Sequence, residues 1–205
     1  MNITLIEGSP RRGGNTAQMA QMLADHLWES DTDTVQISVA EHPVAPCTGC
    51  NLCMKTGDCV LSVDHDTMLA TSKALDSCDA LLWVSPLYFA SVPSQLKALI
   101  DRFQIYYARR LLHGQSVGTK RPAAAVLLGA GGDPFGSQSA TLTLRSASQM
   151  AGFSLTDPLV ISGPEAPGDI ASARFAFERA AAFDLADALR KRVGEKTQKA
   201  KRARA

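Results

Sequence analysis

Four cysteines lie close together in the sequence, at Cys47, Cys50, Cys53 and Cys59. Their spacing is C-x2-C-x2-C-x5-C, so three thiols at every third residue are followed closely by a fourth. Thiolates at such intervals can surround a compact cube of iron and sulfide. Structural zinc sites more often pair two C-x-x-C motifs, or use histidine, across a longer separation. The spacing therefore favours a [4Fe-4S] cluster, with four free thiols and a zinc ion as the alternatives.

A second group of residues suited to chemistry lies at 8–16, Gly-Ser-Pro-Arg-Arg-Gly-Gly-Asn-Thr, between a predicted strand at 3–7 and a predicted helix at 16–29. Hydroxyls, glycines, arginines and the positive end of a helix dipole can converge there on one small anion. The pattern matches neither the dinucleotide-binding G-x-G-x-x-G motif nor the Walker loop. It predicts a site for a phosphate monoester. The alternative is a glycine-rich turn in which Asn or Thr caps the helix.

Two further loops follow predicted strands at 80–84 and 123–128. The first carries adjacent aromatic residues, Tyr88 and Phe89, which can form the apolar wall that a planar ring system needs. Taken alone, these aromatics fit simple closure of the core equally well. The second loop, 129–133, has closely spaced glycines that permit a ligand to approach the backbone.

The elements that must position these loops alternate between apolar strands and amphipathic helices, which is typical of βαβ units and a parallel sheet. We predict strands at 3–7, 35–39, 80–84, 123–128 and 153–161, and helices at 16–29, 66–77, 93–107, 137–151 and 172–192. This alternation predicts an α/β fold, a three-layer, doubly wound, parallel five-stranded sheet with strand order 2-1-3-4-5. In such a sheet the loops that begin at Gly8, Ser85 and Gly129 surround one crevice at the carboxyl ends of the strands.

The segment 8–16 resembles the phosphate loop of the NAD(P)H-dependent FMN reductase superfamily, where a G-S-P-R-x-x-G-N-T type loop follows the first strand. The resemblance implies a flavodoxin-like fold, FMN as cofactor and NAD(P)H as electron donor. It also implies which residues bind the FMN phosphate. They are Ser9, Arg11, Asn15 and Thr16, with Arg12 and Gly14 matching the family pattern less strictly.

The stretch from Pro86 to Arg102 is similar to the same family's P-x-Y-x7-L-K-x3-D-R pattern. In that family the residues after the proline contact the isoalloxazine ring and the ribityl chain, and the glycine loop borders the other flank of the flavin. The residues implied as flavin contacts are Pro86, Leu87, Tyr88, Phe89, Gly129, Gly131 and Gly132.

The cysteine segment 46–59 resembles the motif of the iron-sulfur flavoproteins, a branch of this superfamily that carries a [4Fe-4S] cluster beside FMN. The resemblance implies that the four cysteines of the motif ligate the cluster. Free thiols in a segment that covers the flavin or contacts a neighbouring subunit remain an alternative, as does zinc. Cys78 lies outside the motif and is interpreted as a small buried apolar residue.

Length and charge set the remaining expectations. The 205 residues fit one domain, predicted at 1–193 with a Cys-rich loop at 40–66, followed by a basic and disordered tail at 194–205. A net charge of +1 gives no sign of nucleic acid as a partner, and no apolar run is long enough for a membrane span. The start of the chain shows no secretory signal, so we expect a cytoplasmic protein.

The leading hypothesis is an FMN-dependent oxidoreductase that passes electrons from NAD(P)H to a small-molecule or protein acceptor, by way of a cluster if one is bound. One alternative is an electron carrier without a substrate site of its own, and another is a redox-sensing module that binds a phosphorylated ligand. The histidines His42, His65 and His113 form no recognisable catalytic group. The aromatic run at 103–107, together with the family resemblance, predicts a homodimer or homotetramer.

Overall fold

A computed structural model describes residues 1–61, 67–114 and 120–202. His65 and the predicted helix start at Asp66 lie outside these residues, as does the end of the chain at 203–205. The strands are β1 (Asn2–Glu7), β2 (Asp33–Ser38), β3 (Ala80–Pro86), β4 (Arg121–Gly129), β5 (Phe153–Leu155) and β6 (Leu159–Ser162). The helices are α1 (Asn15–Glu29), α2 (Cys53–Thr56), α3 (Thr67–Ser77), α4 (Ser94–Asp101), α5 (Gln104–His113), α6 (Gln138–Met150) and α7 (Ala176–Arg202).

All pairings between the named strands are parallel, and the sheet order is β2-β1-β3-β4-β5, with β6 also paired to β4. The predicted order 2-1-3-4-5 is thereby confirmed. The strand β3 is buried along its whole length, and all but the end residues of β4 are buried too, because helices cover both faces of the sheet. One apolar layer packs α1 and α7 on the sheet, and the other packs α3 to α6 on the opposite face.

The predicted fifth strand, 153–161, is two short strands in the structure. Both β5 and β6 pair with β4, but the ladder is interrupted at Thr156, Asp157 and Pro158. Proline has no N–H group to donate to a neighbouring strand, which accounts for the break. The interruption leaves the strand order unchanged.

The predicted helix 93–107 is divided into α4 and α5 by a break at Arg102 and Phe103, which are 1% and 3% exposed. The break places these two consecutive buried residues in different surroundings. Phe103 packs near Trp83 in the core, with 6.2 Å between the ring centroids, while Arg102 faces the cysteine segment. Of the three aromatic residues in the run 103–107, Phe103 and Tyr106 are buried and Tyr107 is exposed. The oligomer therefore stays a prediction.

The C-terminal segment differs from its predicted disorder. Helix α7 continues to Arg202, so residues 194–202 of the predicted tail are helical. Lysine, arginine, glutamine, glutamate and alanine dominate this segment, and all five are strong helix formers. The basic residues that suggested a disordered tail are therefore compatible with a helix. Within the described residues, no helix combines the length and apolar character needed to cross a bilayer.

Candidate functional site

A crevice of about 390 Å³ opens where β1, β3 and β4 end. This is the place that the strand order predicts for a ligand. Three of the walls come from the loops predicted by sequence, and a fourth comes from the segment after β6. The lining residues are Ser9, Arg11, Gly14, Asn15, Thr16, Pro86, Leu87, Tyr88, Leu128, Gly129, Ala130, Pro164, Glu165 and Pro167.

The floor of the crevice is the start of α1. Gly14 occupies the N-cap position, and no side chain caps the helix. The alternative interpretation of this loop as an Asn- or Thr-capped turn is therefore not what the structure shows. Because the first N–H groups of a helix lack partners within it, an uncapped N-terminus offers donors and a positive dipole end to an anion. Thr16 and Arg11 lie beside these donors in the crevice wall.

Gly8 starts the loop and has room for no larger residue. A Cβ built on it would lie 2.5 Å from Leu96 Cδ2 and 3.1 Å from Ser85 Oγ. Its N–H donates to the carbonyl of Val84 over 2.8 Å, which ties the loop to the neighbouring strand. The close approach of β1 to α4 at this point fixes the direction in which the loop leaves the sheet.

Ser9 joins the two halves of the loop. Its hydroxyl accepts a hydrogen bond from Arg11 N at 3.0 Å and donates to Arg11 O at 3.3 Å. Its backbone N–H donates to the carboxylate of Glu7 at 2.8 Å. Ser9 is buried, so these contacts are shielded from water and hold the loop in one conformation.

Asn15 connects the loop to the segment after β6. Its side-chain nitrogen donates to Pro164 O at 3.2 Å and Ala166 O at 2.9 Å, and its side-chain oxygen accepts from Ile170 N at 3.2 Å. The amide predicted to bind phosphate is thus occupied with holding the fourth wall in place. The sequence analysis missed this wall because nothing in residues 164–170 resembles a ligand-binding motif.

The aromatic loop after β3 forms a tight two-residue turn. Tyr88 and Ser91 exchange backbone hydrogen bonds of 2.9 and 3.0 Å, while Phe89 and Ala90 adopt left-handed conformations with φ of 51° and 57°. Such conformations are uncommon for residues other than glycine. The turn places Tyr88 on the crevice wall and leaves the Phe89 side chain 97% exposed.

Most of the predicted cofactor-binding residues thus meet in one crevice, but four of them do not line it. Phe89 points to solvent, and the side chain of Arg12 donates to the carbonyl of Ala40 at 3.3 Å. Gly131 and Gly132 lie further along their loop, with φ of 95° and 79°. The loop turns away from the end of β4 before it reaches Gly131. Only Gly129 and Ala130 of this loop line the crevice.

The four clustered cysteines surround a separate cavity of about 300 Å³. Cys47 and Cys50 are exposed, Cys53 and Cys59 are partly buried, and all are free thiols. Gly49, between the first and second cysteines, and Asn51, between the second and third, adopt left-handed conformations. These bend the segment around the cavity. The opposite wall is Asp101, Arg102, Gln104 and Ile105.

Arg109 fastens the cysteine segment to the rest of the fold. From α5 its guanidinium donates to Gly57 O at 2.8 Å and to Asp58 at 2.7 Å, both between Cys53 and Cys59. It also donates to Asp76 of α3 at 3.3 Å. Arg109 therefore ties the turn between these two cysteines to α5 and α3, while the hydroxyl of Thr56 bonds the backbone of Asp58 within the turn.

The electrostatics of the cavity are visible at Cys53. Burial raises the pKa of its thiol, and the nearby thiols of Cys59, Cys47 and Cys50 raise it further. Mutual repulsion of thiolates is what a cation at the centre relieves. Among the described residues, no three His, Cys, Asp or Glu side chains are arranged to hold a metal ion. The thiols thus share a cavity without closing on a single point.

Comparison with known proteins identifies the family of this chain. The family described as NADPH-dependent FMN reductase matches residues 1–164. An iron-sulfur flavoprotein of Methanosarcina thermophila is 31% identical over 142 residues, 69% of either chain. One of Methanocaldococcus jannaschii is 37% identical over 102 residues, 50% of this chain and 51% of the relative. This match and one to Archaeoglobus fulgidus span only about half the length of those relatives.

Solved structures show the same fold. The NAD(P)H:quinone oxidoreductase of Methanothermobacter marburgensis superposes with a TM-score of 0.67 at 14% identity, covering 91% of this chain and 94% of the other. An NADH:FMN oxidoreductase in its apo form gives a TM-score of 0.60 at 20% identity, covering 90% and 87%. These likenesses confirm the predicted flavodoxin-like fold.

Proposed function

This chain belongs to the NADPH-dependent FMN reductase family, in its iron-sulfur flavoprotein branch, and on that premise we propose that it is an FMN-dependent oxidoreductase driven by NAD(P)H. We further propose that a [4Fe-4S] cluster on Cys47, Cys50, Cys53 and Cys59 carries electrons onward to an acceptor. The observation that supports both is the presence of two cavities of opposite chemistry, one offering unpaired helix donors and the other four thiols.

The crevice residues fit FMN by their chemistry. The start of α1, with Thr16 and Arg11, would hold the phosphate, because helix N–H groups and a guanidinium are the donors that phosphate prefers. Leu87 and Tyr88 would face the ring, where an apolar wall excludes water from the reacting edge. FMN supplies a ring that accepts a hydride and releases electrons singly. The protein's part is to bind, orient and shield it.

The cysteine cavity fits a cluster better than a single zinc ion. All four thiols line one space, yet they are not drawn together as four ligands of one tetrahedral ion would be. A cube of four irons and four sulfides is larger than one ion and is held by thiolates at its corners. The protein's part here is to keep the thiols facing one another, which Arg109 does through the turn at Gly57 and Asp58.

The test is to prepare the full chain anaerobically, measure iron, acid-labile sulfide and flavin, and then add NADH or NADPH. We expect about four irons per chain, bound FMN, and bleaching of the flavin absorption by at least one nicotinamide. Less than one iron with four reactive thiols would overturn the cluster. Bound flavin that neither nicotinamide reduces would favour an electron carrier, and protein without a yellow chromophore would overturn the flavin site.

A further inference from the structure

A buried carboxylate lies directly behind the phosphate loop. Glu7 ends β1 and is 5% exposed. One of its oxygens accepts the backbone N–H of Ser9 at 2.8 Å, and the other accepts the hydroxyl of Ser38 at 2.7 Å. The carboxylate of Glu7 thus holds the loop that is proposed to bind an anion. It does so through Ser9, whose hydroxyl also bonds the backbone of Arg11.

The charges around Glu7 do not neutralise it. Glu41, after β2, is a second carboxylate whose charge raises the pKa of Glu7. The cations of the phosphate loop are Arg11, which lines the crevice, and Arg12, whose side chain donates to Ala40 O. Among the described residues, no ion pair joins Glu7 to either arginine. On the neighbouring β2 its partner is the neutral Ser38.

The acidity of Glu7 reflects this position. Burial is the largest influence and raises its pKa, while the hydrogen bonds from Ser38 and from Ser9 N lower it in part. A dianionic phosphate bound at the start of α1 would place another negative charge on the far side of the buried Ser9. Like charges at short range favour the neutral form of a carboxyl group, so the pKa of Glu7 would rise again.

We propose that Glu7 is a positioning residue of the phosphate loop and that FMN binding is coupled to uptake of a proton by its carboxyl group. The inference rests on the proposed FMN site. A protonated Glu7 still accepts the Ser9 N–H through its carbonyl oxygen and donates its O–H to Ser38, so the loop keeps its shape. Protonation removes only the negative charge of Glu7 behind the phosphate loop.

The direction of the pH dependence follows from linkage. Because the bound phosphate raises the pKa of Glu7, the complex holds more protons than the free protein between the two pKa values. The affinity for FMN is therefore greatest below the pKa of the free protein. It falls as the pH rises and levels off above the pKa of the complex.

The experiment is a titration of the flavin-free full chain with FMN between about pH 5 and pH 9, comparing wild type with Glu7→Gln. Glutamine keeps a carbonyl for Ser9 N–H and lacks the charge. We expect the two affinities to converge as the pH falls and about ten-fold tighter binding by Glu7→Gln at the basic end, the ratio that one pKa unit produces. The ionisation of FMN's own phosphate affects both proteins alike.

Two further measurements keep this result specific. Calorimetry in the pH range where the FMN affinity of wild type falls, in buffers of different ionisation enthalpy, should show proton uptake by wild type that is smaller in Glu7→Gln. Riboflavin, which lacks the phosphate, should bind both proteins with the same ratio at every pH. The variant Ser38→Ala removes a hydrogen bond that lowers the pKa of Glu7, so its loss of FMN affinity should move to higher pH.

Identical pH profiles for FMN in wild type and Glu7→Gln would overturn the proposal. An effect on riboflavin as large as on FMN would do the same, because it would show a general change in the crevice. If Glu7→Gln unfolds, as judged by circular dichroism, the direction of the Ser38→Ala shift decides instead. The absence of FMN binding at every pH in both proteins would overturn the FMN site itself, which is a separate outcome.

Discussion

The flavin crevice and the cysteine cavity are built in different ways. The crevice stands on the ends of fully buried strands, and its shape depends on close backbone packing, as at Gly8. The cysteine cavity is formed by an irregular segment with one short helix, and the side chain of Arg109 attaches its turn to α5. Among the described residues the two cavities share no lining residue. We therefore expect the crevice to depend on the packing of the backbone. The cysteine cavity should depend on the hydrogen bonds of Arg109, which is called the clamp below.

The largest expected effect separates the two sites completely. Cys50→Ser removes one thiolate from an exposed position, so it should abolish the cluster iron and sulfide without a packing cost. FMN content should be unchanged. Iron, sulfide and flavin assays on anaerobic protein provide the measurement.

Cys78→Ala is the matched control, because Cys78 is buried outside the cysteine cavity. It should keep full iron content even if its thermal stability falls. A Cys50→Ser protein with normal iron and sulfide would contradict the role of the four thiols. A Cys50→Ser protein without flavin would contradict the independence of the sites.

The second prediction is a change that weakens FMN binding and leaves the cysteine site intact. Gly8→Ala puts a methyl group within 2.5 Å of Leu96 Cδ2, and such overpacking costs about 1–3 kcal/mol. We expect the affinity for FMN to fall by about ten-fold, with the iron content of the cysteine site retained.

The control is Gly194→Ala. Gly194 lies in α7 with open space around it, so alanine should stabilise the helix by about 0.5–1 kcal/mol and leave both sites alone. Fluorescence titration with FMN and thermal unfolding measure these effects. Equal FMN affinity in Gly8→Ala and wild type would show that the crevice tolerates movement of the strand end.

The third prediction concerns the clamp. Arg109→Met removes the hydrogen bonds to Gly57, Asp58 and Asp76 but keeps an unbranched apolar stem in place of the arginine methylenes. The turn between Cys53 and Cys59 should loosen, and the cluster should be lost several-fold faster on exposure to a chelator. FMN affinity should not change.

Arg145→Met is the comparison, since Arg145 forms an exposed ion pair with Asp157 far along the sequence from the cysteine segment. Exposed pairs contribute at most about 1 kcal/mol, so cluster loss should match wild type. The decay of visible absorption after addition of a chelator gives both rates. Equal rates in Arg109→Met and wild type would show that the cysteine segment needs no clamp.

The smallest effect concerns thiol reactivity without the cluster. In metal-free protein, iodoacetamide should modify the exposed Cys50 before Cys53, because burial and the neighbouring thiols raise the pKa of Cys53 and the thiolate is the reactive form. The difference between the modification rates of Cys50 and Cys53 should narrow as the pH rises towards the pKa of Cys53. Peptide mass spectrometry measures the order, and Cys78, which is buried, should react last. Equal rates at Cys50 and Cys53 at every pH would show that the cavity is open to solvent.

The sequence predicted the sheet well because apolar runs and strand order follow from burial and crossover rules. It did not predict the break at Pro158 in the last strand, or the division of α4 and α5 at Arg102. The missing N–H group of Pro158 is visible in the sequence, so the first break could have been predicted. The division at Arg102 depends on what lies opposite the residue in the folded chain. Periodicity along the sequence carries no information about that.

The candidate site was predictable where local chemistry determines it. The hydroxyl of Ser9 and the start of α1 belong to one continuous motif, so their convergence is visible in the sequence. The role of Glu7 was not, because a glutamate that ends a strand is unremarkable until its burial is known. Nor was the contribution of Glu165, which lines the crevice because Asn15, some 150 residues earlier, donates hydrogen bonds to the carbonyls of its neighbours Pro164 and Ala166.

That contact has a consequence for the order in which the molecule is made. Asn15 accepts the N–H of Ile170 across 155 residues of chain. Contacts of such long range form late, since the loop between them must be ordered first. A ribosome that has released only β1, α1 and β2 has already delivered the phosphate loop, but not the wall that closes the crevice. The nascent chain therefore completes this crevice only after Ile170 has been synthesised and has returned to Asn15.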